Sequence, residues 1–389
     1  MSDGRERRRW AALCMAILLL AGLFAVTTER SALPAPTGPF PVGVTTLRLV
    51  REMSDAVEPG TYEIQIWYPG QASGNYATYG TGGPGLRRFV YHRFVRTHAS
   101  QDVALAAGNE RFPVIVYVAG WGGQRTDNTI LAEELASHGF VVAALSDLIY
   151  DEPPSPDLAK PPDFSSQGAY EATLWRAQTR LAYETRRVSE VLDELQRLAR
   201  RDPAGRFTNR LRLSGSGVVG FSFGGAVALA ACGRDPRCTA SVDIDGWLFG
   251  VRNTLARPYL LISDNAPTPT HADLASADPN HRYESILTAQ DETVQSAALA
   301  HDGYTLKVDG ATHLDFTDAP SYSPRRWYRR SGLEPARMMR ILNRYTLGFF
   351  QTYLAGRSSP LLVPGTGFDA AATLTRAGGS HAERRESAS

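Results

Sequence analysis

The chain has 389 residues, of which 43% are hydrophobic and 21% are charged, values that are ordinary for a globular protein. Its formal net charge is +1 at pH 7, so neither nucleic acid nor another strongly charged partner is expected. The sequence has no zinc-type cluster of cysteines and histidines, no Walker loop and no dinucleotide fingerprint, and we therefore predict neither a metal nor a cofactor.

The N-terminal 30 residues have the composition of an export segment. Arginines are concentrated at residues 5–9, and an uncharged apolar run follows from residue 10 to residue 26. A basic start before an apolar stretch is typical of a secretory signal peptide, whereas a membrane-spanning anchor needs about 20 apolar residues. We therefore expect residues 1–30 to be a signal peptide or a membrane anchor. In both cases the arginines stay on the cytoplasmic side, so the rest of the protein is expected to be secreted, periplasmic or membrane-anchored outside the cytoplasm.

Beyond this segment the sequence divides into a linker, one large domain and a tail. Residues 31–41 are rich in proline, which disrupts helices and central strands, so they are expected to be a linker. Residues 42–365 are long for one domain but fit a single α/β catalytic domain with insertions. Residues 366–389 are polar and are expected to be a disordered tail.

The domain alternates between short apolar runs and amphipathic helical segments. Strands are predicted at residues 42–50, 62–68, 112–118, 140–145, 211–219, 240–244, 259–263 and 304–308, and helices at residues 129–138, 170–201, 225–231 and 338–354. Strands that alternate with helices over this length predict an α/β fold with a mostly parallel, doubly wound sheet that is covered by helices on both faces. Residues 151–168 are too long for a simple connection and are a candidate for an insertion that covers the substrate.

A candidate nucleophile lies between the strand at 211–219 and the helix that follows it. Residues 220–224 read Gly-Phe-Ser-Phe-Gly, the G-x-S-x-G pattern in which a serine occupies a tight turn from strand to helix. Such a turn holds the hydroxyl of Ser222 out of the sheet, next to the unpaired backbone N–H groups at the start of a helix. The alternative is a glycine- and serine-rich loop without chemistry, so the assignment depends on the residues that follow.

A serine hydroxyl is a weak nucleophile and needs a general base that is oriented by an acid, and in this kind of fold the acid and then the histidine follow the serine. His313 follows the predicted strand at 304–308, at the sheet edge where the serine is expected, and is therefore the candidate base. His301 precedes that strand and belongs at the opposite edge. Asp245 and Asp264 each follow a predicted strand, and the residues alone leave both open as the acid; a turn-capping role is the alternative for each.

An acyl-transfer site also needs two N–H groups that face the developing negative charge. The backbone N–H of Phe223 is one candidate, because this residue follows the nucleophile. The backbone N–H of Trp121 is the other, because residues 120–122 form a glycine-containing loop directly after the strand at 112–118.

Cys232 and Cys238 flank a turn of five residues beyond the nucleophile's helix. Since the protein is expected in an oxidising compartment, we expect them to form a disulfide. Two reduced, buried cysteines are the alternative.

Four stretches together resemble the platelet-activating-factor acetylhydrolase family. They are residues 36–43 (Pro-Thr-Gly-Pro-Phe-Pro-Val-Gly), 65–69 (Gln-Ile-Trp-Tyr-Pro), 220–225 (Gly-Phe-Ser-Phe-Gly-Gly) and 245–249 (Asp-Gly-Trp-Leu-Phe). The resemblance implies a calcium-independent serine esterase with an α/β-hydrolase fold, and it places the acid in an Asp-Ala-Trp-like motif, which here begins at Asp245. It therefore favours Asp245 over Asp264.

The chain departs from the family pattern at two places. The family usually has a histidine before the nucleophile and a His-Gly pair in the oxyanion loop, where this chain has Phe221 and Ala119-Gly120. Neither change removes a backbone donor, but both leave the shape of the acyl pocket open. Phe221 and Phe223, which flank the nucleophile, are expected to shape that pocket.

The sequence thus predicts a serine esterase that acts through an acyl-enzyme on short acyl or lipid-like esters, with Ser222 as nucleophile, His313 as base and Asp245 as acid. A secreted cutinase-like polyester hydrolase, a catalytically silent binding protein with the same fold, and acyl transfer to an alcohol are the alternatives. Besides the ester substrate, the membrane is an expected partner through the N-terminal apolar segment.

Overall fold

The computed structural model describes residues 33–51, 60–80, 95–150, 155–251, 256–322 and 332–377, together with Trp10 and Met15. One mixed β-sheet with helices on both faces accounts for most of this part of the chain. This is the mostly parallel, doubly wound arrangement that the sequence predicts.

Eleven strands form the sheet within the described ranges. They are β1 (Val42–Arg51), β2 (Gly60–Pro69), β3 (Tyr76–Thr78), β4 (Arg96–Gln101), β5 (Phe112–Val118), β6 (Val141–Leu145), β7 (Leu211–Phe221), β8 (Cys238–Ile244), β9 (Tyr259–Asp264), β10 (Gly303–Val308) and β11 (Ala372–Arg376). Their order across the sheet is β11-β10-β9-β8-β7-β5-β6-β2-β1-β4-β3. The six strands from β10 to β6 run parallel, so their carboxyl ends meet at one edge. Every residue of β5 is buried, as a central parallel strand requires.

The helices cover both faces of the sheet. They are α1 (Thr129–Ser137), α2 (Gln167–Arg200), α3 (Phe223–Arg234), α4 (His271–Leu274), α5 (Pro279–Leu299), α6 (Ala319–Tyr322) and α7 (Pro335–Tyr353). Apolar side chains of α1 and α7 belong to the core on one face, and those of α2, α3 and α5 to the core on the other. α2 begins earlier than predicted because the side chain of Ser166 accepts a hydrogen bond from the N–H of Ala169 and caps the helix.

The expectation of a disordered tail over residues 366–389 is wrong for its first part. Ala372–Arg376 form β11, which pairs antiparallel with β10 so that Leu374 lies opposite Leu306. The strand alternates between buried Ala372 and Leu374 and exposed threonines, and it closes the sheet edge that β10 would otherwise expose. A five-residue strand with two apolar side chains gives too weak a pattern to detect in the sequence. Residues 378–389 lie outside the described residues.

The predicted export segment, residues 1–30, lies outside the described residues except for Trp10 and Met15. Where the structure is described, no helix is both long enough and apolar enough to cross a membrane. The described part of the proline-rich segment, residues 33–41, has neither helix nor strand and is attached to the domain by hydrogen bonds. The N–H of Thr37 donates to a carboxylate oxygen of Glu134 on α1 at 2.7 Å, and the N–H of Gly38 donates to Oγ of Ser137 at 3.0 Å.

Cys232 in α3 and Cys238 at the start of β8 form a disulfide, with their Cα atoms 4.9 Å apart. The bridge that the sequence predicts is thus present, and it closes the turn between α3 and β8.

Candidate active site

Ser222 occupies the turn between β7 and α3. β7 ends at Phe221 and α3 begins at Phe223, so this one residue carries the change of direction. Its φ of 54° and ψ of −126° lie in a region that residues with a side chain rarely adopt. The N–H of Ser222 donates to the carbonyl oxygen of Ile244 at 2.8 Å, which attaches the turn to the end of β8.

Two glycines make this turn sterically possible. A Cβ atom on Gly220 would overlap the carbonyl group of Gly224, and a Cβ atom on Gly224 would overlap the carbonyl group of Val118. Any larger residue at either position would push α3 away from β5 and β7. The G-x-S-x-G spacing therefore reflects a packing requirement of the turn.

Ser222, His313 and Asp245 form a chain of hydrogen bonds. Oγ of Ser222 lies 3.1 Å from Nε2 of His313, and Nδ1 of His313 lies 2.6 Å from Oδ2 of Asp245. An ionised carboxylate can only accept hydrogen bonds, so Nδ1 donates to Asp245 and Nε2 is left to accept from the serine hydroxyl. The side chain of Asp245 is 12% exposed and that of His313 is 48% exposed, so the imidazole faces the opening of the site.

The structure brings Asp245, and not Asp264, against the imidazole. Asp264 contributes its backbone instead, because its N–H donates to Oδ1 of Asp245 at 3.2 Å. Oδ1 of Asp264 accepts the N–H of Ala266 at 3.1 Å, and Asp264 also lines the cavity described below. Partial burial raises the pKa of Asp264, and the negative charge of Asp245 adds to this effect. The two carboxylates at neighbouring strand ends thus have different surroundings.

The loop that carries His313 is held on two sides. The ring of Phe221 stacks against the imidazole, with the ring centroids 4.7 Å apart and the planes at 30°. Three residues further along, the carbonyl oxygen of Phe316 accepts a hydrogen bond from Nδ2 of Asn128, which precedes α1, at 2.7 Å. Both contacts restrict the orientation of the imidazole towards Ser222.

The two phenylalanines beside Ser222 lie in different surroundings. Phe223 lines the cavity described below, as expected, whereas Phe221 does not. The expectation that Phe221 shapes an acyl pocket is therefore wrong. It is the last residue of β7 and its side chain joins the core under α1 and α7, while Phe223 belongs to the core on the opposite face of the sheet.

Both predicted oxyanion donors lie beside Ser222. Phe223 is the first residue of α3, so its backbone N–H has no partner within the helix. The loop after β5 passes close to Ser222, since a Cβ atom on Gly120 would lie 2.9 Å from Cβ of Ser222. Trp121 follows in this loop, and its backbone N–H has no hydrogen-bond acceptor among the residues that the structure describes. Two N–H groups therefore remain for a negatively charged oxygen near Ser222.

A cavity of about 790 Å³ opens at Ser222. Its aromatic lining residues are Trp121, Phe223, Trp247 and Phe249, and its polar lining residues include Thr288, Glu292, Gln295, Thr305 and Lys307. This volume is within the range of sites that bind small molecules and far exceeds that of an acetyl group. The cavity therefore has room for a larger part of a substrate besides a short acyl group.

The insertion predicted at residues 151–168 contributes to this cavity. Residues 151–154 lie outside the described residues, Pro162 lines the cavity, and α2 begins at Gln167. Phe164 is buried and its ring packs edge-on against Trp247, with the centroids 5.5 Å apart. The described part of the insertion is thus a packed wall of the site.

Asp291 supports the segment that follows Asp245 and was not anticipated from the sequence. It lies on α5, is buried, and accepts the backbone N–H groups of Leu248 at 2.6 Å, Phe249 at 3.3 Å and Gly250 at 3.4 Å. Burial raises the pKa of Asp291 to about 6. The polar residues around it on α5 resemble a solvent-facing surface, so the sequence carries no signal for this role.

Asp243 lies beneath the same segment. One of its carboxyl oxygens accepts the N–H of Gly246 at 3.0 Å and the other the O–H of Tyr259 at 2.9 Å. Complete burial raises the pKa of Asp243 well above its usual value. The carboxyl group of Asp243 thus pairs with Gly246 and Tyr259, whereas His313 pairs with Asp245. Over the described ranges, no group of three or more histidine, cysteine, aspartate or glutamate side chains is arranged to hold a metal ion.

A sequence model of the family described as platelet-activating factor acetylhydrolase, isoform II, matches residues 86–147 and 204–358, which is more than half of the chain. The matched segments contain the loop at Trp121, the turn at Ser222, and both Asp245 and His313. The match confirms the resemblance that the sequence motifs indicate.

Curated relatives with the name platelet-activating factor acetylhydrolase are similar over much of the chain. The protein from Bos taurus is 24% identical over 288 residues, which cover 63% of this chain and 61% of the relative. The protein from Cavia porcellus is 24% identical over 376 residues, which cover 85% of this chain and 80% of the relative. The chain thus matches about three fifths of the length of the bovine relative.

Among solved structures, a ferulic acid esterase from Streptomyces cinnamoneus has a similar fold. It superposes with a TM-score of 0.62 at 23% sequence identity and covers 89% of this chain and 100% of that one. This likeness concerns the fold alone, and it confirms the predicted α/β-hydrolase fold.

Proposed function

Because the chain belongs to the platelet-activating factor acetylhydrolase, isoform II, family, we propose that it is a serine carboxylic-ester hydrolase that works through an acyl-enzyme. The observation that carries the proposal is the chain of hydrogen bonds from Ser222 through His313 to Asp245 at the opening of a ligand-sized cavity. A nucleophile, a base and an orienting acid in this order are the arrangement that acyl transfer requires.

In the acylation step, Oγ of Ser222 attacks the ester carbonyl carbon while Nε2 of His313 accepts the hydroxyl proton. The carbonyl oxygen becomes negatively charged and accepts hydrogen bonds from the N–H groups of Trp121 and Phe223. Asp245 stabilises the imidazolium that has formed. When the carbonyl re-forms, the bond to the alcohol oxygen breaks, and His313 gives its proton to the departing alkoxide. An alcohol leaves, and Ser222 carries the acyl group.

In the deacylation step, water takes the place of the alcohol. Nε2 of His313 accepts a proton from the water as its oxygen attacks the acyl carbon, and the same two N–H groups hold the second oxyanion. Collapse of this intermediate breaks the bond to Oγ of Ser222, which recovers its proton from His313. The carboxylic acid leaves and the site returns to its starting state.

The proposed substrates are esters with a short acyl chain on a larger, lipid-like alcohol. The matching relatives are named platelet-activating factor acetylhydrolases, and we extend a preference for short acyl groups from them to this chain. The aromatic lining of the cavity suits an apolar portion of such a substrate, and Glu292 and Lys307 suit a polar or charged portion. Hydrolysis of p-nitrophenyl acetate, butyrate and a long-chain ester by the purified protein would test this preference. Equal or faster turnover of the long-chain ester would contradict it.

The direct test of the proposed reaction is Ser222→Ala. This variant should fold, as judged by its circular dichroism spectrum and melting temperature, and should lose hydrolysis of p-nitrophenyl acetate. If the folded variant retained most of the wild-type activity, the proposal would be wrong.

We also propose that the enzyme acts outside the cytoplasm. The arginines at residues 5–9 before an apolar run, and the disulfide between Cys232 and Cys238, support this location, since disulfides persist mainly in oxidising compartments. Cell fractionation of the full chain, followed by N-terminal sequencing of the mature protein, would test it. Recovery of the enzyme only from the cytoplasm would contradict the proposal.

A further inference from the structure

Arg180, in the middle of α2, is a fully buried cation beside the proposed oxyanion hole. Its side chain has no solvent exposure, which is rare for arginine. The proposed reaction gives it no chemical role. Burial lowers the pKa of Arg180, and the nearby carboxylate of Asp147 opposes this shift. A buried cation in this position is stable only if other groups pair with it.

The guanidinium of Arg180 packs against both residues whose N–H groups form the proposed oxyanion hole. Its central carbon lies 3.9 Å from the centroid of the Trp121 ring and 5.4 Å from that of the Phe223 ring. The rings of Trp121 and Phe223 in turn contact each other edge-on, with their centroids 5.2 Å apart. The guanidinium thus contacts the side chains of both residues whose backbone N–H groups must face the oxyanion.

Two polar contacts fix the guanidinium in this position. One of its terminal nitrogens pairs with Oδ2 of Asp147, and the other donates to the carbonyl oxygen of Leu158 in the insertion at 2.8 Å. Oδ2 of Asp147 also accepts the N–H of Gly122 at 2.7 Å. Gly122 directly follows Trp121, so the carboxylate that holds Arg180 also holds the oxyanion loop.

We propose that Arg180, together with Asp147, is a positioning residue that holds the N–H groups of Trp121 and Phe223 in place for the oxyanion. The proposal rests on the proposed esterase function. It requires the planar shape of arginine as well as its charge, because lysine could pair with Asp147 but could not at the same time stack on Trp121 and reach the carbonyl oxygen of Leu158.

Arg180→Lys tests this role, and Arg187→Lys is its matched control. Arg187 lies two turns further along α2, is equally buried, pairs with Glu184 at 2.8 Å and packs against Tyr62 at 4.7 Å from the ring centroid. Both variants remove a buried guanidinium from the same helix, but Arg180 stacks on the Trp121 ring, whereas Arg187 packs against Tyr62 and donates to the carbonyl oxygen of Ser146 at 3.0 Å. A purely structural effect would therefore appear in both.

Three quantities would be measured for each variant: kcat per active site, KM for p-nitrophenyl acetate, and the inhibition constant of a trifluoromethyl ketone. Active sites would be counted by organophosphate titration. Oγ of Ser222 adds to the carbonyl carbon of the ketone while His313 accepts the hydroxyl proton, and the carbonyl oxygen becomes a hemiketal oxyanion, so the affinity of the ketone reports the oxyanion hole. Arg180→Lys should lower kcat by about 10- to 100-fold and weaken the ketone by a similar factor, with little change in KM. Arg187→Lys should leave both values near those of the wild type.

Two results would overturn the proposal: unchanged kcat per active site and ketone affinity in Arg180→Lys, or equal losses in Arg187→Lys. If Arg180→Lys does not fold, Asp147→Asn makes the same test, because it removes the charge that holds Arg180 and is nearly isosteric. It should weaken the ketone, and wild-type affinity would reject the role. Labelling of the wild type at Ser222 is a separate check, so a labelled, active wild type with an unaffected Arg180→Lys would reject only the positioning role.

Discussion

Replacing Asp245 by asparagine is expected to lower kcat by about 10⁴-fold while KM stays near its wild-type value. The carboxylate of Asp245 lies 2.6 Å from Nδ1 of His313 and is only 12% exposed, so it fixes the imidazole tautomer and stabilises the imidazolium with little competition from water. An asparagine amide can donate to Nδ1, which would place the proton on Nε2 and block acceptance from Ser222. Losses of about 10⁴-fold for this kind of change correspond to about 5 kcal/mol of transition-state stabilisation.

Asp264→Asn is the matched control for this prediction. Its backbone N–H, which donates to Asp245 at 3.2 Å, remains in the variant, and the altered carboxylate lines the cavity and accepts the N–H of Ala266, whereas Nδ1 of His313 pairs with Asp245. We expect kcat within a few-fold of the wild type. The assay is steady-state hydrolysis of p-nitrophenyl acetate, with melting temperatures to establish folding. The assignment of Asp245 would be refuted if Asp245→Asn kept most of its kcat, or if Asp264→Asn lost more.

Three further changes probe the support of the site and the stability of the fold. Phe221→Leu removes the ring that stacks on His313, worth about 1 kcal/mol, and should lower kcat about fivefold without changing KM, because Phe221 does not line the cavity. Burial raises the pKa of Glu133 to about 7. The stability that its proton contributes is therefore complete below pH 4.5 and is lost as the pH rises through 7. In urea unfolding, the free energy of unfolding of the wild type should fall by about 3 kcal/mol over this range, and Glu133→Gln should remove this fall. Serine at both Cys232 and Cys238 should lower the free energy of unfolding by about 2 kcal/mol, as expected for a short closed loop, and leave kcat unchanged.

Each of these predictions has an outcome that contradicts it. A rise in KM for Phe221→Leu would mean that the ring contacts substrate after all. Parallel pH profiles of the wild type and Glu133→Gln would show that this carboxyl titrates normally in the folded protein. A loss of kcat in the double serine variant would show that the disulfide positions Ser222, which lies at the other end of α3.

The turn at Ser222 could be predicted from five consecutive residues, and the position of His313 from the general topology of a parallel sheet. A side chain at position 220 or 224 would overlap the neighbouring backbone, so both positions require glycine. This requirement is visible in five consecutive residues. The carboxyl ends of parallel strands share one edge, so a histidine just after β10 was expected near a serine just after β7. The structure places the two side chains 3.1 Å apart.

The supporting residues could not be predicted because they depend on contacts between distant segments. Asp245 and Asp264 both follow neighbouring strands, and only the family motif favoured one of them. Asp291 and Arg180 lie on helices whose sequence does not indicate which of their polar residues point inwards. β11 is too short for its alternation to be significant until β10 provides a partner edge. In each case the missing information is the packing of one element on another.

Covalent capture of the nucleophile tests the central claim most directly. The wild-type protein would be treated with an organophosphate, and the label would be located by peptide mass spectrometry while loss of esterase activity is followed in parallel. The account predicts one label per chain, on Ser222, in proportion to the activity lost, and no label in Ser222→Ala. Inactivation with the label on another residue, or full activity after Ser222 has been labelled, would contradict it.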